Sequence, residues 1–285
     1  MSTLTGFFNQ WKGRLMSSNI EDYAAGFVDY RPKRSVVEWA ESSVELSPRI
    51  TEQPGPYSTR LYPYVAEVLE AIGDPAIRRI SLCWGSQTSK TTTFYIMLGY
   101  VIDQQPAPIL WVFPSALLCK NFASERWLPF CVESSVLEKH LPRYMNGDVD
   151  VDRFNLQKQE FKRCTMNLVG AGSQASVRSY PISVLVLDEI DVIDEGIRRE
   201  CLDRIKGKRS FKVLQSSTPV SEAGGIWQEF QEGDRRRYWM GCPHCGKEIL
   251  LRWRNEEGEL NIRWSEDAKG EDDIINLAVV ESSAF

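Results

Sequence analysis

A lysine–threonine pair, Lys90 and Thr91, follows a loop of small residues and opens an apolar run. A strand that feeds a loop into a helix directs main-chain N–H groups and the positive end of the helix dipole at one point. A lysine there adds a charge for the β- and γ-phosphates of a nucleotide, and a threonine hydroxyl can bind Mg²⁺. This loop has Trp84 and Ser89 where phosphate-binding loops have glycine, so alone it favours an ordinary helix start. The candidate nucleotide-binding residues are Gly85, Ser86, Gln87, Thr88, Ser89, Lys90 and Thr91.

Two adjacent acids, Asp188 and Glu189, follow the apolar stretch 182–187. In an open parallel sheet, ligands bind beyond the carboxyl ends of the strands. One carboxylate there can hold Mg²⁺, and the next can orient or deprotonate an attacking water. The alternative is a pair of solvated acids that begin a helix. The buried run before the acids favours the metal-and-base interpretation.

Three hydroxyl residues, Ser216, Ser217 and Thr218, end the next apolar stretch, 211–219. Hydroxyl groups beside a γ-phosphate can sense its loss and relay that change to a neighbouring loop. A helix cap or a turn before Pro219 explains these three residues equally well. The three motifs in this order nevertheless indicate a nucleoside triphosphatase.

Three further side chains are weaker candidates. Arg178 could stabilise transition-state charge on the γ-phosphate, in cis or from a neighbouring subunit, and a solvated surface arginine is equally well supported. Tyr57 and Arg60 could pack on a base or ribose by stacking. For Tyr57, packing beneath its own loop is the favoured alternative.

The elements that position these residues follow from the apolar pattern. Nearly all-apolar strands that alternate with helices predict an α/β fold with a mainly parallel sheet covered on both faces. Strands are predicted at 78–84, 107–114, 165–172, 182–191 and 211–219, and helices at 65–74, 91–103 and 115–128. We predict a leader at 1–45 that docks a partner, an ATPase domain at 46–233, and a hairpin region at 234–285.

The composition excludes several classes of protein. The chain has 285 residues, 42% of them hydrophobic, and a net charge of −5, so the molecule as a whole is no polycation. No apolar run reaches the roughly 18 residues that span a bilayer, and the N-terminus lacks a secretion signal, so we expect no membrane association. With two histidines, a histidine-dependent hydrolase is not expected. The seven cysteines are predicted to be reduced and mostly buried.

Cys242 and Cys245 have the spacing of half a zinc site, and two free thiols on a hairpin are the favoured alternative. The stretch 204–212 and the arginines 235–237 are the densest basic segments. They could hold DNA phosphates in a contact that ignores sequence, although for either one alone a solvated loop is favoured.

The combination "SQTSKT", "LVLDEID", "SSTP" and "GDRRRYWMGCPHCGKE" resembles the large terminase subunit of tailed bacteriophages, of the lambda-like type. The resemblance covers about 56–247 and implies a RecA/ASCE-like P-loop ATPase with a partial zinc ribbon. It implies that ATP and Mg²⁺ drive double-stranded DNA into a capsid. Lys90 and Thr91 then match the phosphate-loop lysine and the Mg²⁺ hydroxyl, and Asp188 and Glu189 the metal-linked acid and the base. Ser217 and Thr218 match the coupling motif, and Arg178 a candidate arginine finger.

The resemblance also implies partners and a location. These are a portal protein, a small terminase subunit and a homo-oligomeric ring on the procapsid in the host cytoplasm. A family nuclease domain would follow the ATPase, and we expect no DNA cleavage from the chain given. Two alternatives stay open: a superfamily-2-type translocase or helicase, and a degenerate nucleotide-binding module that only assembles with partners.

Overall fold

A six-stranded sheet forms the centre of the computed structural model. The structure describes residues 34–51, 53–172, 180–241 and 246–250, with the backbone of two short strands beyond them. The helices are α1 Val36–Ser43, α2 Ala66–Gly73, α3 Lys90–Gln104, α4 Ala116–Phe122, α5 Leu128–Glu133, α6 Glu195–Lys206 and α7 Gly225–Glu232. The strands are β1 Glu45–Leu46, β2 Gly55–Pro56, β3 Arg79–Cys83, β4 Ile109–Phe113, β5 Lys158–Glu160, β6 Thr165–Gly170, β7 Val184–Asp188, β8 Lys212–Ser217, β9 Met240–Gly241, β10 Glu248–Ile249, β11 Ile262–Arg263 and β12 Val279–Val280.

The order of strands across the main sheet is β3-β8-β7-β4-β6-β5. The first five strands pair in parallel, and β5 pairs antiparallel with β6 at one edge. The five predicted strands are therefore present, and the predicted α/β fold of RecA-like type is confirmed. The small β9–β10 pair is antiparallel, as in a hairpin.

Both faces of the sheet are covered, and β4 shows this along its length. All five of its residues are buried; Trp111 packs in one core cluster with Phe94 of α3, and Leu110 packs in the other with Ile197 of α6. A strand that is buried on both faces reads as a continuous apolar run. That is why the continuous apolar runs of β4 and β7 were readily recognised as strands in the sequence.

Helix boundaries follow from side-chain caps. The Ser35 hydroxyl accepts from the main-chain N–H of Glu38 and the Glu38 carboxylate accepts from Ser35, which makes a capping box at the start of α1. The Ser115 hydroxyl accepts from Leu118 at the start of α4. Before α3, the capping residue Ser89 instead adopts a left-handed backbone conformation.

A buried polar group joins α1 to α3. The Asp103 carboxylate accepts a bond of 2.9 Å from Trp39 Nε1 and one of 2.6 Å from Gln104 Nε2. His140 Nε2 lies 2.7 Å from the second carboxylate oxygen of Asp103. Because several donors face this carboxylate, its burial is compensated.

The cysteines and the helices give two further results. Cys83, Cys119, Cys131, Cys164 and Cys201 are free thiols, and burial raises the pKa of each of them. Within the part of the chain that the structure describes, no helix is both long and apolar enough to cross a membrane.

Candidate nucleotide-binding site

Three loops meet at the carboxyl edge of the sheet because β3, β8 and β7 are consecutive neighbours. In the register of the parallel pairs, Cys83 lies opposite Ser217 and Asp188 lies opposite Ser216. The loop after β3, the acids after β7 and the hydroxyls after β8 therefore leave the sheet at one level.

Lys90 connects these loops. Its Nζ donates to the carbonyl oxygen of Gly85 at 2.8 Å and to Thr218 Oγ1 at 2.8 Å. It also lies 3.3 Å from the carbonyl oxygen of Trp84 and 3.9 Å from Glu189 Oε1. The side chain is largely buried, so these contacts are held in a region of reduced dielectric. One cation thus touches the phosphate loop, the acid loop and the hydroxyl loop.

The phosphate loop takes a glycine-like path without glycine at the expected positions. Gln87 and Ser89 have φ values of 57° and 63°, in the left-handed region that non-glycine residues seldom occupy. The Thr88 hydroxyl donates to the carbonyl oxygen of Gly85 at 2.8 Å and so closes the loop on itself. The sequence indicated the loop, but it did not show that two residues would carry this strain. Thr91 follows Lys90 in the first turn of α3.

Asp188 ends β7 in a nearly enclosed position, with 7% of the residue exposed. Burial raises the pKa of its carboxyl to about 6, although a hydrogen bond of 2.5 Å from Ser216 Oγ opposes that change. The neighbouring Glu189 raises the pKa further, and Lys90 lowers it. Because burial disfavours the charged form of this carboxyl, a bound divalent cation would offset the cost of its charge. Carboxylate and hydroxyl oxygens, here those of Asp188 and Thr91, are the ligands that Mg²⁺ prefers.

Glu189 reaches toward the hydroxyl loop from a strained backbone with φ of 53°. Its Oε2 accepts from Ser217 Oγ at 3.1 Å and from the main-chain N–H of Thr218 at 3.4 Å. The side chain is 42% exposed, so solvent water reaches the carboxylate. Residues held in sparsely populated backbone regions cluster at functional sites. The predicted base therefore faces both water and the predicted coupling residues.

An aromatic cleft of about 610 Å³ adjoins the phosphate loop on the free edge of β3. The Tyr64 ring packs edge-on against Trp84 at 5.4 Å between centroids and against Tyr238 at 6.0 Å. The Tyr64 hydroxyl donates to the carbonyl oxygen of Thr88 at 3.3 Å, which ties the cleft to the loop. Sequence reasoning missed Tyr64, Trp84 and Tyr238 as site residues. The signal available was that Trp84 replaces a glycine and that Tyr64 lies in a tyrosine-rich loop.

The two residues predicted to stack on a base lie elsewhere. Tyr57 is 5% exposed and packs in the core beneath its loop, where burial raises the pKa of its hydroxyl to about 12. Arg60 is exposed. Neither residue lines the aromatic cleft.

Three predicted residues, Arg178, Cys242 and Cys245, lie outside the described residues. Among those that the structure describes, no group of three or more His, Cys, Asp and Glu residues could hold a metal ion. Of the basic residues after α7, Arg236 pairs with Asp234 at 2.5 Å, and Arg237 lies 5.4 Å from the centre of the Phe230 ring.

The sheet order and the three converging loops define an α/β fold of the P-loop nucleoside triphosphatase class. Residues 51–278 match the family model described as phage terminase large subunit gpA, ATPase domain, and the chain belongs to that family.

Two curated relatives are large terminase subunits. The protein of Escherichia phage lambda is 23% identical over 247 residues, which are 84% of this chain and 38% of that protein. The protein of Enterobacteria phage P21 is 20% identical over 241 residues, which are 82% of this chain and 37% of that protein. The chain thus spans less than two-fifths of the length of either relative.

Among solved structures, the ATPase domain of the Thermus phage P74-26 large terminase is 16% identical, with a TM-score of 0.44. The match covers 61% of this chain and 72% of that domain.

Proposed function

We propose that this chain binds ATP with Mg²⁺ and hydrolyses it at the carboxyl edge of the sheet. The observation that carries the proposal is the meeting of Lys90, Thr218 and Glu189 around one point, with Lys90 Nζ 2.8 Å from Thr218 Oγ1 and 3.9 Å from Glu189 Oε1. Such a cluster suits a triphosphate, because a cation faces the phosphates while an acid faces water.

The roles follow from these positions. Lys90 exchanges its carbonyl contacts for β- and γ-phosphate oxygens, and main-chain N–H groups of the phosphate loop surround the same anion. Thr91 and Asp188 would hold Mg²⁺, which neutralises charge that develops on the phosphates. Glu189 orients the attacking water and accepts its proton, since its carboxylate is half-exposed. Ser217 contacts Glu189, and Thr218 contacts both Glu189 and Lys90, so the two residues are placed to respond when the γ-phosphate leaves.

We place the base of the nucleotide in the aromatic cleft. Tyr64 and Trp84 bring ring faces and edges next to the phosphate loop, on the side away from the acids. Stacking on aromatic rings is worth roughly 1–3 kcal/mol per base and tolerates any base. This assignment replaces Tyr57, whose ring is buried in the core.

The family supports a wider proposal, in which hydrolysis moves double-stranded DNA into a procapsid in the host cytoplasm. Portal protein, small terminase subunit and a homo-oligomeric ring are the proposed partners, with Arg178 reaching a γ-phosphate in its own subunit or in a neighbouring one. The arginines 235–237 are candidates for DNA phosphate contacts. In that case, the logarithm of the association constant for a DNA duplex should fall linearly with the logarithm of the salt concentration. Zinc at Cys242 and Cys245 also stays a prediction, which metal analysis of the purified chain can test.

Replacing Glu189 by glutamine tests the hydrolysis proposal. The amide keeps the shape of the side chain but cannot accept a proton, so ATP turnover should fall on the order of 100-fold while ATP affinity is kept. Glu195→Gln is the matched control, because Glu195 is an exposed acid on α6 paired with Arg199 at 2.6 Å. Equal turnover in the Glu189 variant and the wild type would contradict the proposal. Tight binding without wild-type turnover, even at high protein concentration, would favour the nucleotide-binding assembly module instead.

A further inference from the structure

Asp191, two residues after Glu189, joins the acid loop to the opposite side of the site. Its Oδ2 accepts from the main-chain N–H of Val220 at 3.3 Å, and its Oδ1 accepts from that of Ile226 at 2.7 Å. Val220 lies in the loop after β8, and Ile226 lies in the first turn of α7. One carboxylate therefore fixes both the loop that carries Thr218 and the helix that follows it.

The start of α7 is built to receive this carboxylate. The capping residue of α7 is Gly224, which has no side chain to accept from the free N–H groups of the first turn. A Cβ atom on Gly224 would lie 2.6 Å from Asp191 Oδ2, and one on Gly225 would lie 1.7 Å from Arg198 Nη1. Asp191 supplies from a distant element the cap that Gly224 cannot provide, and the missing side chain of Gly224 leaves room for it, while Gly225 leaves room for Arg198.

Asp191 also contacts the predicted coupling residue. Its main-chain N–H lies 3.4 Å from Ser217 Oγ, the same hydroxyl that donates to Glu189 Oε2 at 3.1 Å. On its far side, α7 places Trp227 and Phe230 in the lining of the aromatic cleft. A continuous set of contacts therefore runs from Glu189 through Ser217 and Asp191 to the cleft.

We propose that Asp191 is a positioning residue that holds the hydroxyl loop and α7 in register with the acid loop. It keeps Ser217 and Thr218 within reach of Glu189, and it carries changes at the phosphates to α7. This inference rests on the proposed ATP hydrolysis.

If Asp191 were only a helix cap, its loss would reduce stability as the loss of any other cap does. Asp194 is the matched control for this alternative, because it is also a helix cap. Asp194 Oδ1 accepts from Gly196 N at 2.9 Å and from Ile197 N at 3.2 Å, and so caps α6. It is the same residue type, three positions further along the same loop, with the same number of main-chain donors. Within the part of the chain that the structure describes, Asp194 makes its hydrogen bonds to α6 and none to the hydroxyl loop, so its loss should affect stability alone.

The first experiment compares Asp191→Ala, Asp191→Asn and Asp194→Ala by thermal unfolding and ATP kinetics. Both alanine substitutions should lower Tm by similar amounts. The Asp191→Ala variant alone should lose kcat, on the order of tenfold or more, with KM little changed, since misplaced catalytic groups affect the rate of the chemical step. Asparagine keeps one acceptor oxygen and should recover part of that loss. Equal kcat in the two alanine variants would overturn the proposal.

Gly224→Ala perturbs the same carboxylate without changing Asp191. The added methyl should displace Oδ2 and lower kcat as the Asp191 variant does. Gly207→Ala is the matched control, because a Cβ atom there meets nothing within 4 Å. A Gly224 variant with wild-type kcat would count against the proposal.

Hydrogen exchange separates this inference from the proposed function. Because a base bound in the cleft would contact α7 directly, the ligand is inorganic triphosphate with Mg²⁺, which fills only the phosphate site. It should slow amide exchange at 85–95 in both the wild type and Asp191→Ala, but it should change exchange at 219–232 only in the wild type. Protection at 85–95 together with an equal response at 219–232 in the variant would overturn the role of Asp191 alone. Absence of protection at 85–95 in the wild type would overturn the nucleotide site and, with it, this inference.

Discussion

Replacing Asp188 by asparagine is expected to stabilise the protein at neutral pH when no divalent cation is present. The residue is 7% exposed, and burial raises the pKa of its carboxyl from the ordinary 3.8 to about 6. Between these values the folded protein holds a proton that the unfolded chain has released. Stability from this group is therefore full below about pH 4 and is lost as the pH rises through about 6. The difference between the two pKa values corresponds to roughly 3 kcal/mol of unfolding free energy.

The assay is urea unfolding of the wild type and Asp188→Asn in EDTA, at pH 4 and at pH 7.5. Subtracting the two free energies at each pH removes the contributions of all other titrating groups. The variant should gain roughly 2.5 kcal/mol over the wild type between the two pH values, because a small part of the effect is already present at pH 4. Added Mg²⁺ should then raise the stability of the wild type and leave the variant unchanged, because a cation that binds the folded state stabilises it.

Asp103→Asn is the control for this substitution. Asp103 is as buried as Asp188, at 3% exposed, but its carboxylate faces the donors of Trp39 and Gln104 and the ring of His140. An amide cannot accept all of these bonds, so this variant should lose stability at pH 7.5. A pH-independent difference between Asp188→Asn and the wild type would refute the reasoning about burial at Asp188.

Three other substitutions test separate parts of the structure. Gln87 has a left-handed backbone conformation, which costs a non-glycine residue about 1–2 kcal/mol of strain. Gln87→Gly should relieve that strain and raise Tm, despite the flexibility of glycine in the unfolded chain. The control is Ser86→Gly, which should lower Tm because Ser86 has no positive φ. Lys212→Met removes an ammonium that donates to three carbonyl oxygens around the end of α2. The free energy of unfolding in urea should fall by about 2–3 kcal/mol. The control is Lys206→Met, at an exposed lysine, which should lower it by less than about 1 kcal/mol. In calorimetry, Tyr64→Ala should weaken binding of ATP about tenfold or more and leave binding of inorganic triphosphate unchanged. Equal losses of affinity for both ligands would contradict the proposal that the nucleotide base lies in the aromatic cleft.

The sequence was sufficient for the parallel strands because four of the five, β4, β6, β7 and β8, are buried on both faces along most of their length. β4 and β7 appear as unbroken apolar runs, and the acids and hydroxyls that follow β7 and β8 stand out against them. Parallel strands place their carboxyl ends at one edge, so the meeting of Asp188, Ser217 and the loop before Lys90 could be deduced without coordinates. The antiparallel edge strand β5, at 158–160, was not predicted because its three residues are too short and polar to give a pattern.

The cleft and the cap at α7 depend on contacts distant in sequence, which periodicity does not encode. Tyr64 and Tyr238 are far apart along the chain and meet only because the segment after α7 returns to the free edge of β3. In the sequence, nothing distinguishes Asp191 from the other acids of its loop. Its role is visible only in the structure, where its carboxylate accepts from the first turn of α7. Tyr57 and Tyr64 lie in one tyrosine-rich loop, and only packing decides which ring is buried and which faces the cleft.

A crystal structure of the Glu189→Gln variant with ATP and Mn²⁺ in place of Mg²⁺ tests the site most directly. The account predicts γ-phosphate oxygens within hydrogen-bonding distance of Lys90 Nζ. It also predicts an anomalous peak for the metal between Thr91 and Asp188, and the base against Tyr64. A nucleotide bound at another edge of the sheet, or a metal peak away from Asp188, would contradict it.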